Sequence, residues 1–298
     1  LVTRKTRLQE LVERFNTWPQ AKFYLEHNKV DAEDYLAEHD LYTRRLVEAE
    51  SILREKGLFQ RLERSFLPNY TFNTKDIVVV IGQDGLVANT LKYLDGQPVI
   101  AINPDPNRWD GKLLSFEIGD LESAVARTEN RKVALRSITF AEARTNDGQR
   151  MRAVNDIFIG PRSHTSAQYS LTLGKVSENQ SSSGIIISTG FGSTGWLQSI
   201  LAGALGVTGG KSHELQQGFA WDEKLLKFTV REPFPTQTTS TKLVFGSITE
   251  KTQLRLESFM PENGVIFSDG IERDYLPFNS GCIVSIGISK TRGLLVVG

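Results

Sequence analysis

The sequence has one cysteine, four histidines and no excess of charge of either sign. The single cysteine, Cys282, excludes a disulfide framework and a cysteine-built zinc site within one chain. His27, His39, His164 and His213 are scattered and show no metal-ligand spacing, so no resident metal site is expected. Lys and Arg total 35, and Asp and Glu total 35. That balance argues against nucleic acid as a partner, because nucleic-acid modules carry a basic excess. An anionic ligand would have to be held by local geometry. No run of about 18 apolar residues is present, so no membrane span is expected. No signal peptide is visible. The expected setting is the cytoplasm, or the mitochondrion where a targeting segment precedes Leu1.

What is present is core material. With 298 residues, 39% of them hydrophobic, the chain can build one large domain or two ordinary ones without staples. Residues 1–70 are charged and helix-like. Tyr42, Leu46, Ala49 and Leu53 recur at spacings of three and four, which marks one face of a helix, and Gly57 is a natural stop. Asp76 to Ile81 is a β-branched run suited to a strand buried on both faces. Gly82-Gln83-Asp84-Gly85 ends it, Leu86 to Leu94 reads as a helix, and Pro98 to Asn103 is a second strand. Strand, Gly-rich turn, helix, strand is the layout of a parallel crossover unit. Leu121 to Asn130 reads as a short helix capped by Asp120. Strand signals then dominate: 136–144 and 151–160 around the turn Asn146-Asp147-Gly148-Gln149, then 168–173, 184–188, 227–232, 242–245, 253–258, 265–267, 282–289 and 294–297. Ser193 to Ala204 is the one helix among them. The fold class is therefore an α/β front with a parallel sheet, followed by a β-rich rear.

Three features carry candidate chemistry. Gly82-Gln83-Asp84-Gly85 lies at the carboxyl end of a parallel strand and opens a helix, where backbone amides favour phosphate. Asp84 could accept a hydroxyl proton or hold Mg²⁺ through water; as a preferred capping residue it could equally be a turn former. Ser188-Thr189-Gly190-Phe191-Gly192-Ser193-Thr194-Gly195-Trp196 is a second strand-to-helix turn rich in amides and hydroxyls, either a phosphate cradle or a capped surface loop. Gly190 to Gly195 also fits the dinucleotide fingerprint G-x-G-x-x-G, but that motif needs a parallel strand ending in an acid about 20 residues on, and the segment leading to Glu214 is no strand. Gly210-Lys211-Ser212 hints at a phosphate loop but lacks the required earlier glycine, since Leu205 stands there. Third, Asn155-Asp156 interrupts an apolar strand pattern, as a ligand-binding pair or as a β-bulge bonded to backbone.

In order and spacing these turns resemble the NAD kinase family, over roughly residues 75–290. The family shows an early GGDG turn, a central Asn-Glu pair and a later T-x-T-G-S-T-A-Y-like turn. The nearest likeness is to the divergent eukaryotic mitochondrial-type branch, through Ile102-Asn103-Pro104-Asp105-Pro106-Asn107-Arg108, Ser182-Ser183-Gly184, the Trp that closes the second turn, and Arg231-Glu232-Pro233. The resemblance implies an α/β nucleotide-binding domain (1–120), a β-rich NAD-binding domain (121–270), a cleft between them, and a final segment (271–298) that packs back toward the first domain. It implies transfer of the γ-phosphoryl of ATP, with Mg²⁺, to the 2′-hydroxyl of the adenosine ribose of NAD. Asp84 would be the general base, or would orient that hydroxyl. Gly82, Gly85, Gly192, Ser193 and Thr194 would hold phosphates, with Thr189 in the same ligand-binding turn. Asn155 and Asp156 would bind NAD, with Asn103 beside the first turn and Trp196 and Asp269 among the ligand-binding set. It also implies a homo-oligomer, a dimer or tetramer.

Gln83 stands where the family has Gly, Leu86 where it has Thr, Asp156 where it has Glu and Ser183 where many bacterial members have Asp. These departures keep two alternatives in play: a nucleotide-binding or regulatory member without turnover, and a related kinase for a sugar or lipid. The donor, ATP or polyphosphate, is left open.

Overall fold

The computed structural model describes residues 1–210 and 217–298. Lys211, Ser212, His213 and Glu214 lie outside the described residues. The chain divides into two compact units, one of Leu1–Arg136 with Leu294–Gly298 and one of Ser137–Gly293.

The first unit is built on parallel strands in the order Leu62–Glu63, Val2–Thr3, Val78–Ile81, Pro98–Asn103 and the chain's last strand, where Leu294 and Leu295 pair with Pro98 and Val99. All four residues of Val78–Ile81 are buried, as an unbroken β-branched run requires. The helix Ala32–Lys56 starts from the Asp31 side chain as cap and ends at Gly57. Its expected stripe, Tyr42, Leu46, Ala49 and Leu53, is buried on Val79, Ile81, Ile100 and Ile102. The helix Leu121–Glu129 places Leu121, Ala124 and Val125 in the same core. That packing keeps residues 121–136 with the α/β unit, so the division falls at 136 rather than 120. The final strand, in turn, still pairs with Leu254–Glu257 through Ile283–Ile286. Only 294–298, not 271–298, belongs to the first unit.

The second unit stacks antiparallel sheets on one core. One sheet contains Val176–Ser182, Ala167–Leu173, Leu254–Ser258 and the strand beginning at Ile283, with Ala134–Thr145 and Arg150–Ala153 as a hairpin. The other runs Phe245–Thr249, Leu225–Val230, Ile185–Ser188, Asp156–Pro161, Gly264–Ser268 and Tyr275–Pro277. Ile157, Ile159, Ile185 and Ile187 face the shared core with Tyr169, Leu171 and Phe228. The alternate residues Phe158, Ile186, Val265 and Phe267 face the opposite way, toward Trp196 and Ile200 of the helix Trp196–Thr208. A strand covered on both faces therefore reads as a solid apolar run even in an antiparallel sheet.

Several elements differ from the sequence reading. The expected strand 151–160 is broken into Arg150–Ala153 and Asp156–Pro161. The expected strand 242–245 is displaced to Phe245–Thr249. The Ser193–Ala204 helix is a short 3₁₀ turn, Gly192–Thr194, followed by Trp196–Thr208. No helix among the described residues is long and apolar enough to cross a membrane.

Truncating the stripe tests this core. Leu46→Ala should lower unfolding stability by about 2–4 kcal/mol, the cost of a large-to-small change at a buried site. Urea unfolding monitored by circular dichroism reads this; a loss well below 1 kcal/mol, roughly the bottom of the range for a deleted buried methylene, would show the helix does not depend on that face.

Candidate active site

In the first unit, Val78–Ile81 ends at Gly82 and the helix Asp84–Leu91 begins two residues later. Gln83 occupies the capping position with φ −105°, an ordinary extended value, so its side chain fits where the resemblance leads one to expect glycine. Gly82 is buried, and a Cβ there would meet Leu86 Cδ2 at 2.8 Å. Leu86 thus turns inward onto the turn rather than toward its open side. Gly85 is exposed, and a Cβ added there would meet no heavy atom within 4 Å. The Leu86 and Val87 amides donate to Gln83 O, which leaves those of Asp84 and Gly85 at the helix head to receive an anion.

Asp84 is half-buried at the head of the helix. Its Oδ1 accepts the Leu113 amide at 2.7 Å and its Oδ2 accepts the Lys112 amide at 3.1 Å. A carboxylate has about four lone-pair sites, so both oxygens retain capacity for a substrate proton. The two amides were not legible as site elements. The only local hint is Gly111, whose φ of +63° turns the chain just before them.

Asn103 ends the strand neighbouring Gly82, and Ile102 O accepts the Gly82 amide. Its side chain is buried and spent on its own loop: Nδ2 donates to Trp109 O at 2.9 Å and Oδ1 accepts from the Asp105 amide at 3.0 Å. Asn103 shapes the loop that grips Asp84.

In the second unit the interruption between the strands Arg150–Ala153 and Asp156–Pro161, at Val154–Asn155, is held from three sides. The Asp269 carboxylate accepts the Asn155 amide at 2.7 Å and the Val154 amide at 3.1 Å. The Thr189 hydroxyl donates to Val154 O, and the Thr189 amide donates to Asn155 O. Gly192 lies so close that a Cβ would fall 2.2 Å from Asn155 O. This glycine is required by close approach. Ser193 is fully buried, donating to Gly190 O and accepting the Phe219 amide. The donor protons of Thr189 and Ser193 are therefore used inside the fold, and Thr194 is the exposed hydroxyl of this turn. The preceding strand, Ile185–Ser188, is antiparallel to both neighbours, so the glycine fingerprint here is not that of a parallel dinucleotide-binding unit.

Asp156 is the outlier. Its Oδ1 is buried with no hydrogen-bond partner. Burial pushes its carboxyl up to about 7, and the neighbouring Asp269 carboxylate adds to the rise, while Ser188 opposes it. A buried polar atom without a partner is what a ligand donor or acceptor would complete. Trp196 stacks on Phe158 at 5.8 Å, with the Arg231 guanidinium 5.6 Å from its ring centre. With Arg162, Ser183 and Phe267 they line a cavity of about 530 Å³. Phe158 and Arg231 were not singled out from the sequence as site residues. Among the described residues no group of three acidic, histidine or cysteine side chains is placed to hold a metal.

No family model matches the sequence. A curated NAD kinase from Picrophilus torridus is 26% identical over 151 residues, 49% of this chain and 53% of that protein. The match thus spans about half the length of that relative. Among solved structures, yeast NADH kinase complexed with NADH superposes with a TM-score of 0.58 at 12% identity, covering 100% of this chain and 82% of that one. An NAD kinase from Archaeoglobus fulgidus in complex with ATP gives 0.56 at 17% identity, covering 85% and 88%. The chain has the NAD kinase fold. Its sequence resemblance to that family and its backbone agree, from an α/β unit with a parallel sheet to a β-rich unit.

Asp156 gives the site a pH signature. Between about pH 4 and about pH 7 the folded carboxyl keeps a proton that the unfolded one has lost. The folded state then binds more protons, so this group's contribution falls as pH rises through that window. Asp156→Asn removes the contribution. Its stability relative to wild type should rise from pH 4 to pH 7 in parallel thermal melts. A constant difference across the window would contradict the assignment.

Proposed function

We infer that the chain is an NAD kinase-type phosphotransferase, moving the γ-phosphoryl of ATP to the 2′-hydroxyl of the adenosine ribose of NAD to give NADP. The observation that carries this is the Asp84 carboxylate, fixed through both oxygens at the head of a helix beside the open Gly85. The fold shared with kinases complexed with NADH and with ATP supports both substrates.

On this reading the 2′-hydroxyl gives its proton to Asp84 as its oxygen bonds to the γ-phosphorus. The γ-to-bridging P–O bond breaks, and ADP leaves with the electron pair. The amides of Asp84 and Gly85 at the head of the helix neutralise phosphate oxygens. Such transfer needs positioning and charge neutralisation rather than a covalent nucleophile. Mg²⁺ bound to the nucleotide phosphates would find in Asp84 the carboxylate of the first turn, since one carboxylate plus phosphates is the usual protein environment of that ion. It would supply further charge neutralisation at the phosphates. A homo-oligomer belongs to the same reading.

Gln83 favours a second reading, nucleotide binding without turnover, because it puts a side chain beside the proposed base. Leu86 gives that reading no support, since its side chain is buried away from the open face.

NADP formation from ATP, Mg²⁺ and NAD is the assay. Wild type should turn over, and Asp84→Asn should lose about 10²–10⁴-fold in kcat, the usual contribution of a general base. Equal rates would remove Asp84 from the mechanism. Calorimetric nucleotide binding by a wild type that makes no NADP would favour the second reading.

A further inference from the structure

Residues 104–108 of the resembling segment, and the N-terminal helices outside it, have no role in the phosphotransfer described so far. The structure joins them. The loop after Asn103 carries Lys112 and Leu113, the amides that grip Asp84. Pro104 and Pro106 leave it fewer backbone donors. Beyond its own Asn103 staple, it is tied to the N-terminal segment at two adjacent residues. Arg108 donates to both oxygens of Asp34, at 2.6 and 3.0 Å, a forked pair that fixes orientation as well as distance. The same guanidinium donates through Nε to Asp105 at 3.2 Å. Trp109 lies under the Arg4 guanidinium, 5.3 Å from ring centre to carbon, and Arg4 also covers Tyr42.

These charges form one chain. Asp34 also accepts from Arg7, and Glu38, buried, accepts from Arg4 and from the Arg7 amide. The guanidiniums of Arg108 and Arg7 hold the Asp34 carboxyl well below the usual carboxylate range. The Tyr42 hydroxyl donates to Ile81 O, the last residue of the strand that feeds the Gly82 turn. The helix Ala32–Lys56 therefore holds the turn from one side and, through Asp34, the gripping loop from the other.

We propose that Asp34 and Arg108 are positioning residues for Asp84: their ion pair holds the 103–113 loop so that the Lys112 and Leu113 amides set the carboxylate. This rests on the phosphotransfer reading for its kinetic consequence, but not for its structural one.

The test pairs hydrogen–deuterium exchange with kinetics, on wild type, Arg108→Gln, Asp34→Asn, the double variant and Arg108→Lys. Arg45→Gln, whose pair with Glu48 sits on an exposed helix face, is the control. In each single variant, exchange at Lys112 and Leu113 should rise by about tenfold, as for a local opening made easier, while Val78–Ile81 stays protected. The double variant should add little, since the pair acts as a unit. The kcat should fall about tenfold or more from misplacement of the base, with KM for NAD within about twofold. Arg108→Lys, which keeps the charge but not the fork, should recover part of the kcat, and Arg45→Gln should match wild type. Unchanged exchange at Lys112 and Leu113 overturns the proposal, and so does faster exchange throughout Val78–Ile81, which would mark general loosening. A wild type that makes no NADP sinks the phosphotransfer reading alone, because the exchange measurement still judges the clamp.

Discussion

The grip of two backbone amides on one carboxylate organises the first unit's chemistry. Lys112 and Leu113 hold the two oxygens of Asp84 at 3.1 and 2.7 Å. Without them, a side chain at a helix head would sample several rotamers and cap its own helix. With them it is set in one place beside the exposed Gly85. The rest of the unit serves that placement: the parallel strands bring Gly82 and Asn103 side by side, Asn103 folds the loop, and the N-terminal helix braces it.

The second unit uses its acids differently. Asp269 is a structural carboxylate whose oxygens cap the Val154 and Asn155 amides. Asp156 keeps one buried oxygen without a partner. A satisfied acid thus sits beside one with an unsatisfied oxygen, and the Asp269 charge adds to the cost of charging Asp156. The hydroxyls of Thr189 and Ser193, which read in sequence as phosphate donors, brace this arrangement instead. Neutral net charge fits such a molecule. Fixed amides and a few oriented side chains supply local electropositive ground, so the 35-to-35 balance of the chain needs no basic patch.

What the sequence shows well is what repeats locally. The Tyr42–Leu53 stripe, the crossover around Gly82 and the strand Pro98–Asn103 are short-range patterns, and the structure contains them. The strand Val176–Ser182 escaped because it is polar, with Ser, Glu, Asn and Gln where an apolar alternation would signal a strand; it lies at a sheet edge, paired on one side with Ala167–Leu173. The break at Asn155 was legible only as an alternative, since its cause, Asp269, lies more than a hundred residues away. Of the candidate site, the residues were legible and their partners were not. Asp84 stands out between two glycines, but amides at 112 and 113 carry no side-chain signal. Leu86 read as a lost ligand contact; only its packing on Gly82 shows that it points inward.

The departures from the family pattern therefore fall unequally. Leu86 is a core residue, and Gln83 adopts a backbone that any residue tolerates. Neither disturbs the Asp84 grip. In the proposed phosphotransfer Asp84 receives the proton of the 2′-hydroxyl, and a crystal structure with NAD bound shows whether it is placed to do so. That transfer requires the hydroxyl within about 2.6–3.2 Å of an Asp84 carboxylate oxygen, the reach of a general base, with the Lys112 and Leu113 amides still in place. NAD bound with its 2′-hydroxyl turned away from Asp84 would contradict it.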